Sequence, residues 1–141
     1  MKVKPPFWIW LAPCAALIAV AVVSLGCAEP VPPKVVVYTS VEGQLLEGPT
    51  STVVWAAGGA LHTPPLDTGI LAGTTMARLF ARAADDGWPT SFTVGTVADL
   101  HAADTVWLTS GVRGAATVHT LDGAPRGDAG LSQRVRALLA G

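Results

Sequence analysis

Residues 47–75 read EGPTSTVVWAAGGALHTPPLDTGILAGTT, and this stretch decides the fold. Ser51–Trp55 (STVVW) is β-branched and aromatic, the composition of a strand. Ala57-Gly58-Gly59 marks a turn, and Leu61-His62-Thr63 is a second short strand that stops at Pro64-Pro65. Gly69–Gly73 forms a glycine-bounded loop. The periodicity then changes. Across Thr74–Asp86 (TTMARLFARAADD), Met76, Leu79, Phe80 and Ala83 recur at spacings of three and four, which puts them on one face of a helix. Thr74 or Thr75 is the expected N-cap, and Gly87 ends the helix.

Outward from this stretch the alternation continues. Val35–Ser40 (VVVYTS) reads as a buried strand, followed by a turn at Glu42-Gly43. Downstream, Thr90–Val94 is a strand and Val97–Ala103 a short helix with Thr96 as its cap. Thr105–Ser110 (TVWLTS) is a strand that runs into Gly111-Val112-Arg113-Gly114. Ala115–Thr120 is a further strand closed by Asp122-Gly123, and Leu131–Ala140 is a terminal amphipathic helix. The expected fold class is α/β, built on residues 35–141 with short connections and no internal repeat. Trp55, Trp88 and Trp107 fall at strand ends and are expected in the core.

The chain has 141 residues, half of them hydrophobic and only 13% charged, with a net charge of −1. Near-neutral charge argues against a nucleic-acid binder. Two cysteines cannot make a disulfide scaffold, and no Cys/His cluster has zinc spacing. There is neither a Gly-x-Ser-x-Gly elbow nor a P-loop. His62, His101 and His119 form no ligand set by spacing, and His62 reads as structural. The apolar excess is concentrated at the start. Lys2 and Lys4 precede an uncharged stretch, Pro5–Ala28, whose centre is almost wholly Ala, Val, Leu and Ile. A basic start, an apolar centre and a small-residue exit make a secretory signal. The exit, Val23-Ser24-Leu25-Gly26-Cys27, resembles a bacterial lipobox, which would make Cys27 the lipidated first residue of a membrane-anchored, exported protein. An uncleaved apolar N-terminal anchor helix over residues 1–27 is the alternative, since the length is near the ~20 residues of a spanning helix. A mistaken start or a gene fusion is the third reading. Residues 28–34 (AEPVPPK) are a proline-rich extended linker.

The order of Glu47-Gly48-Pro49-Thr50-Ser51, Thr63-Pro64 and Gly73-Thr74-Thr75 resembles the C-terminal domain of the class IV aminotransferases, the fold-type IV pyridoxal 5'-phosphate enzymes related to D-amino acid aminotransferase. Trp107-Leu108-Thr109-Ser110-Gly111-Val112-Arg113-Gly114 looks most like the 4-amino-4-deoxychorismate lyase branch. The resemblance covers residues 35–141. It implies a small amino acid or chorismate-derived substrate, a role in folate biosynthesis for the lyase branch, and a homodimeric, cytoplasmic enzyme. It assigns Glu47 to the pyridine nitrogen of the cofactor, whose protonated form a neighbouring carboxylate favours. Apart from the resemblance, Glu47 reads as a surface turn residue. The Thr74 and Thr75 amides are assigned to the phosphate, as helix N-termini bind phosphate well, although Gly-Thr-Thr also fits a plain capped helix. Ser110, Gly111 and Val112 belong to the loop that closes over the phosphate and the substrate side. Arg113 suits a substrate carboxylate and equally a solvated turn.

Several positions depart from the family pattern. Pro49 replaces a small residue, Thr52 stands where Asn is usual, Val54 where an aromatic is usual, and Met76 where a basic residue often sits. The gravest departure concerns the lysine that binds the cofactor covalently. In the family it lies roughly thirty residues before the glutamate. Counting back from Glu47 reaches Cys14–Leu17, where there is none. Lys34, thirteen residues upstream of Glu47, is the sole lysine after Lys4 and reads as a linker charge rather than a surrogate. The family's N-terminal domain and its phosphate-binding arginine have no counterpart either, so the domain is expected to be truncated and to turn over little on its own. A non-catalytic anchored lipoprotein or fusion remnant is the competing reading. A weaker resemblance of residues 23–42 to the start of a periplasmic iron-binding lipoprotein ranks last, because Tyr38 is the only tyrosine available as a ligand.

Overall fold

A computed structural model describes residues 34–141. The apolar segment 1–27, with Cys27, and residues 28–33 of the linker lie outside the described residues. The compact unit is Val35–Gly141. Its five-stranded sheet is built from β1 (Thr52–Ala57), β2 (Ala60–Thr63), β3 (Thr90–Phe92), β4 (Thr105–Ser110) and β5 (Gly114–Thr117). Their order across the sheet is β3-β2-β1-β4-β5.

Strand β1 sits at the centre and is buried on both faces. Val54 and Ala56 join a core with Met76, Leu79, Phe80, Ala83 and Trp107. Val53 and Trp55 join a second core on the opposite face with Leu45, Leu100, Ala103 and Val106. This double burial explains the unbroken apolar run of the strand. β1 turns into β2 through Gly58 and Gly59, both with positive φ (58° and 77°), the geometry of a two-residue hairpin. β1 also pairs antiparallel with β4, placing Thr52 opposite Thr109. β2 and β3 run parallel, and helix α1 (Thr74–Asp85) supplies the crossover that parallel neighbours require.

The apolar face expected for α1 is the one it buries: Met76, Leu79, Phe80 and Ala83. Gly87 ends it with φ 72°. The terminal helix α3 (Ala129–Ala140) packs Val135 into the same core, and Arg134 both pairs with Asp86 at 2.6 Å and lies over the Trp88 ring. The Asp128 carboxylate caps α3 by accepting from the Leu131 amide at 2.8 Å. Helix α2 (Val97–Ala102) covers the other face. Asp99 accepts from the Thr96 amide at 2.7 Å and the Thr96 hydroxyl at 2.8 Å. The Thr96 hydroxyl first, then its amide, hold the Asp99 carboxyl below its ordinary value of 3.8. Trp55, Trp88 and Trp107 are all buried. His62 stacks on Trp55 and contacts the Ala57 carbonyl at 3.1 Å, a structural position.

Two expected strands are corrected. Val35–Ser40 is not a buried strand: Val36 and Tyr38 are 64% and 51% exposed. Its backbone bonds run only to the adjacent segment, Tyr38 N–H to Glu47 and Ser40 N–H to Gln44, both at 2.8 Å, so it joins no sheet. The strand expected at Ala115–Thr120 ends at Thr117. A separate hairpin of β6 (Thr120–Leu121) and β7 (Ala124–Pro125) follows, folded back at Asp122-Gly123, where both residues have positive φ. Among the described residues no helix is long and apolar enough to cross a membrane.

Leu79 is fully buried at the centre of the α1 face. Leu79→Ala should destabilise the domain by about 2–5 kcal/mol, read from the urea unfolding midpoint of the chain.

Candidate active-site cleft

The register of β1 and β4 brings the first residue of β1 beside the end of β4, and the N-terminus of α1 arrives at the same edge. The turn Gly48–Ser51 closes the edge, with Gly48 N–H donating to the Ser51 carbonyl at 2.8 Å. Pro49 occupies the first central position of this turn, where its fixed φ is favourable, which accounts for a proline there. Between these pieces lies a cavity of about 330 Å³. Five residues singled out from the sequence line it: Glu47, Thr74, Thr75, Ser110 and Gly111. Val112 and Arg113 follow in the β4–β5 turn but do not line it. Val112 is 97% exposed, and Arg113 is exposed as well. Lys34 is exposed and is absent from the lining.

Glu47 is half-buried at one side of the cavity. Its Oε2 accepts from the Leu71 amide at 3.1 Å, which orients the carboxylate, and its carbonyl accepts from Tyr38 N–H at 2.8 Å, which anchors the backbone. It is the only ionisable side chain in the lining.

The start of α1 forms a further part of the wall. The expected cap at Thr74 or Thr75 is corrected here: the N-cap is Gly73, and no side chain caps the helix. Thr74 and Thr75 are the first helical residues instead. The Ala77 amide makes the bond to the Gly73 carbonyl at 3.0 Å, which leaves the amides of Thr74, Thr75 and Met76 without a helical partner. A threonine cannot cap from position 73 because there is no room for a side chain. A Cβ built on Gly73 would stand 2.4 Å from the Thr52 hydroxyl oxygen. A side chain at 73 would have to displace the Thr52 hydroxyl, so glycine lets the helix dock this closely on β1, and the docking leaves an uncapped, electropositive helix end facing the cavity.

Ser110 ends β4, and its hydroxyl oxygen accepts from the Arg113 amide at 3.2 Å, which shapes the turn. Gly114 completes that turn with φ 63°. Nine of the fourteen lining residues were not singled out as site residues in the sequence, and two of them matter most here, Leu71 and Thr52. Leu71 contributes through its amide, which leaves no trace in side-chain type. Thr52 was visible only as a departure from the family's usual Asn.

The cleft thus brings one carboxylate and the free amides of a helix N-terminus to the wall of one cavity. The model of the family described as amino-transferase class IV matches residues 29–121. The chain belongs to the class IV aminotransferase family. It is 43% identical over 95 residues to the bifunctional aminodeoxychorismate lyase / D-amino acid transaminase of Mycobacterium tuberculosis, a match covering 62% of this chain and 33% of that protein. It resembles the structure of a fold IV transaminase from Curtobacterium pusillum (TM-score 0.69, 42% identity, 75% of this chain and 36% of that one). It also resembles a hypothetical aminotransferase from M. tuberculosis solved with α-ketoglutarate and PMP bound (TM-score 0.73, 34% identity, 89% and 42%). The class IV aminotransferase fold is thus present over part of its length: the chain spans about a third of the curated relative it matches.

The contact between Gly73 and Thr52 makes a thermodynamic cycle informative. Gly73→Ala should cost about 1–3 kcal/mol by overpacking, and the cost should fall when Thr52 is also Ala, because the clashing hydroxyl is gone. Urea unfolding of the two single variants and the double variant measures the coupling.

Proposed function

We propose that this chain supplies the ring-nitrogen and phosphate half of a pyridoxal 5'-phosphate site. The single observation that carries the reading is the cavity that joins the Glu47 carboxylate to the uncapped amides of Thr74 and Thr75. The residues present fit the cofactor. The cavity is of ligand size, one end offers an acceptor held by the Leu71 amide, and the other offers donors over which a side chain at position 73 has no space. When bound, the cofactor ring withdraws electrons from an amino acid attached to it, provided its ring nitrogen stays protonated.

Glu47 keeps the proton at that nitrogen by placing a negative charge against it. The Thr74 and Thr75 amides hold the phosphate at the positive end of the twelve-residue helix. Ser110 and Gly111 wall the cavity on the β4 side, and Val112 and Arg113 stand beyond them, where Arg113 meets a carboxylate of the entering substrate. Aminodeoxychorismate lyase chemistry, which eliminates pyruvate to give 4-aminobenzoate, is the finer reading, with amino-acid transamination beside it. Support for both comes from the similarity to a protein named for both activities. Proton transfer in either reaction needs a lysine, and the only one among the described residues, Lys34, stands away from the cavity lining. Residues 35–141 therefore bind and orient but do not attach the cofactor covalently.

Titration calorimetry of the full chain with pyridoxamine phosphate tests this reading. Saturable binding is expected, weakened about tenfold or more by Glu47→Gln, which removes the charge facing the ring nitrogen. Borohydride reduction with pyridoxal phosphate should leave no stoichiometric adduct at Lys34. Absence of saturable binding by the wild-type chain would count against the half-site.

A second reading concerns residues 1–34 and rests on Lys2, Lys4, the uncharged run Pro5–Ala28 and the Leu25-Gly26-Cys27 exit. We propose that this segment exports the chain and that Cys27 carries a lipid, which would leave the domain membrane-anchored rather than cytoplasmic. Metabolic labelling with a fatty acid should mark the wild-type chain and not Cys27→Ser. An unlabelled, cytosolic wild-type product would overturn it.

A further inference from the structure

Thr52 opens β1 and is 3% exposed, and it lines the cavity beside Gly73. Its backbone carbonyl accepts from the Thr109 hydroxyl at 3.2 Å, while its own hydroxyl enters no hydrogen bond among the described residues. The oxygen is not sealed off as Trp107 Nε1 and Arg126 Nε are, so it keeps access to the cavity that Thr52 lines and is free to bond what enters there. Packing does not explain the hydroxyl here. The next two positions of the strand are Val53 and Val54, and valine has the same shape as threonine. The position of the oxygen is informative. It stands 2.4 Å from where the Cβ of a Gly73 side chain would be, so a strand residue delivers an oxygen to the place from which an ordinary N-cap side chain would reach the helix amides. Here that oxygen leaves the helix uncapped and shares the cavity wall with the free Thr74 and Thr75 amides.

The lining also holds no cationic side chain. What this unit offers a phosphate on the helix end is therefore hydrogen-bond donors alone, and each of those donors counts for more. We propose that the Thr52 hydroxyl donates to the phosphate seated on the Thr74 and Thr75 amides, and so makes this end of the cleft selective for a phosphate monoester over the same ligand without phosphate. The proposal rests on the half-site reading above. It gives the departure from Asn at position 52 a function: a short donor that fits under Gly73.

Binding of pyridoxamine phosphate and of pyridoxamine to the full chain tests it, since neither probe carries an aldehyde to react with Lys2, Lys4 or Lys34. Wild type should prefer the phosphorylated probe. Thr52→Val and Thr52→Ala should each weaken pyridoxamine phosphate about tenfold, leave pyridoxamine unchanged, and so shrink the preference, while Thr52→Ser retains it. Inorganic phosphate should compete with the phosphorylated probe in wild type, and less well in Thr52→Val. A purely structural role would weaken both probes together. An unaltered preference in Val and Ala variants, or an equal loss of both probes, overturns the Thr52 assignment while leaving the half-site standing. No preference in wild type overturns the phosphate end of the half-site itself, and the Thr52 assignment with it. Should the Val variant fail to fold, the Ala variant, which adds no atoms, gives the same comparison.

Discussion

The N-terminus of α1 rests directly on the first residue of β1, with no side chain at Gly73 to hold them apart. The rest of the cleft depends on that contact. Because the helix arrives at β1 this closely, its free amides fall beside the end of β4, the antiparallel neighbour of β1. A helix held further off would put Thr74 and Thr75 outside the wall that Ser110 and Gly111 complete. The contact in turn needs β1 to be rigid, and β1 is fixed by burial on both faces: Val54 and Ala56 under α1 and α3, Val53 and Trp55 under α2. Two cores thus clamp one strand, and the strand positions one helix end.

The sheet and its helices were legible because their signals are local. β-Branched and aromatic residues marked β1 and β4, and three-and-four spacing marked the buried face of α1. The Gly58-Gly59 hairpin and the Thr96–Asp99 start of α2 are written in residue types that serve few other purposes. Val35–Ser40 misled because its composition describes a strand that is buried by neighbours, and composition carries no information on whether those neighbours are present. In the compact unit this segment bonds only to Glu42–Glu47, and Val35 and Val36 stay exposed while Val37 packs at the edge of the second core.

The cleft was legible in part. Glu47, Thr74, Thr75, Ser110 and Gly111 are separated by up to 64 positions in the chain, and their order became meaningful through family resemblance rather than through any periodicity. Cap assignment failed for a physical reason. Threonine is a good cap by local preference, but the tertiary contact with Thr52 excludes any side chain at the cap position and shifts both threonines into the helix. Thr52 and the Leu71 amide escaped because one contributes an unpaired hydroxyl within a strand and the other contributes backbone.

The charge distribution in the cleft shows how its two ends divide the work. Glu47 is the only ionisable group in the lining, and on the proposed reading it is the group that meets a ring nitrogen. On the same reading the phosphate meets donors and a helix dipole but, among the described residues, no cation. Donors of this kind recognise geometry more than net charge, because amides and a hydroxyl reward an oxygen only along their bond directions. A cation would attract anions of many shapes, whereas a ring of uncharged donors admits the one that fits. The proposed half-site thus separates two tasks that a single charged pocket would blur. In it Glu47 would set protonation of the ring, and the Gly73 contact would set the shape offered to the phosphate. Both tasks are carried by residues 47–111, while covalent chemistry requires a lysine that this unit does not bring to the cavity.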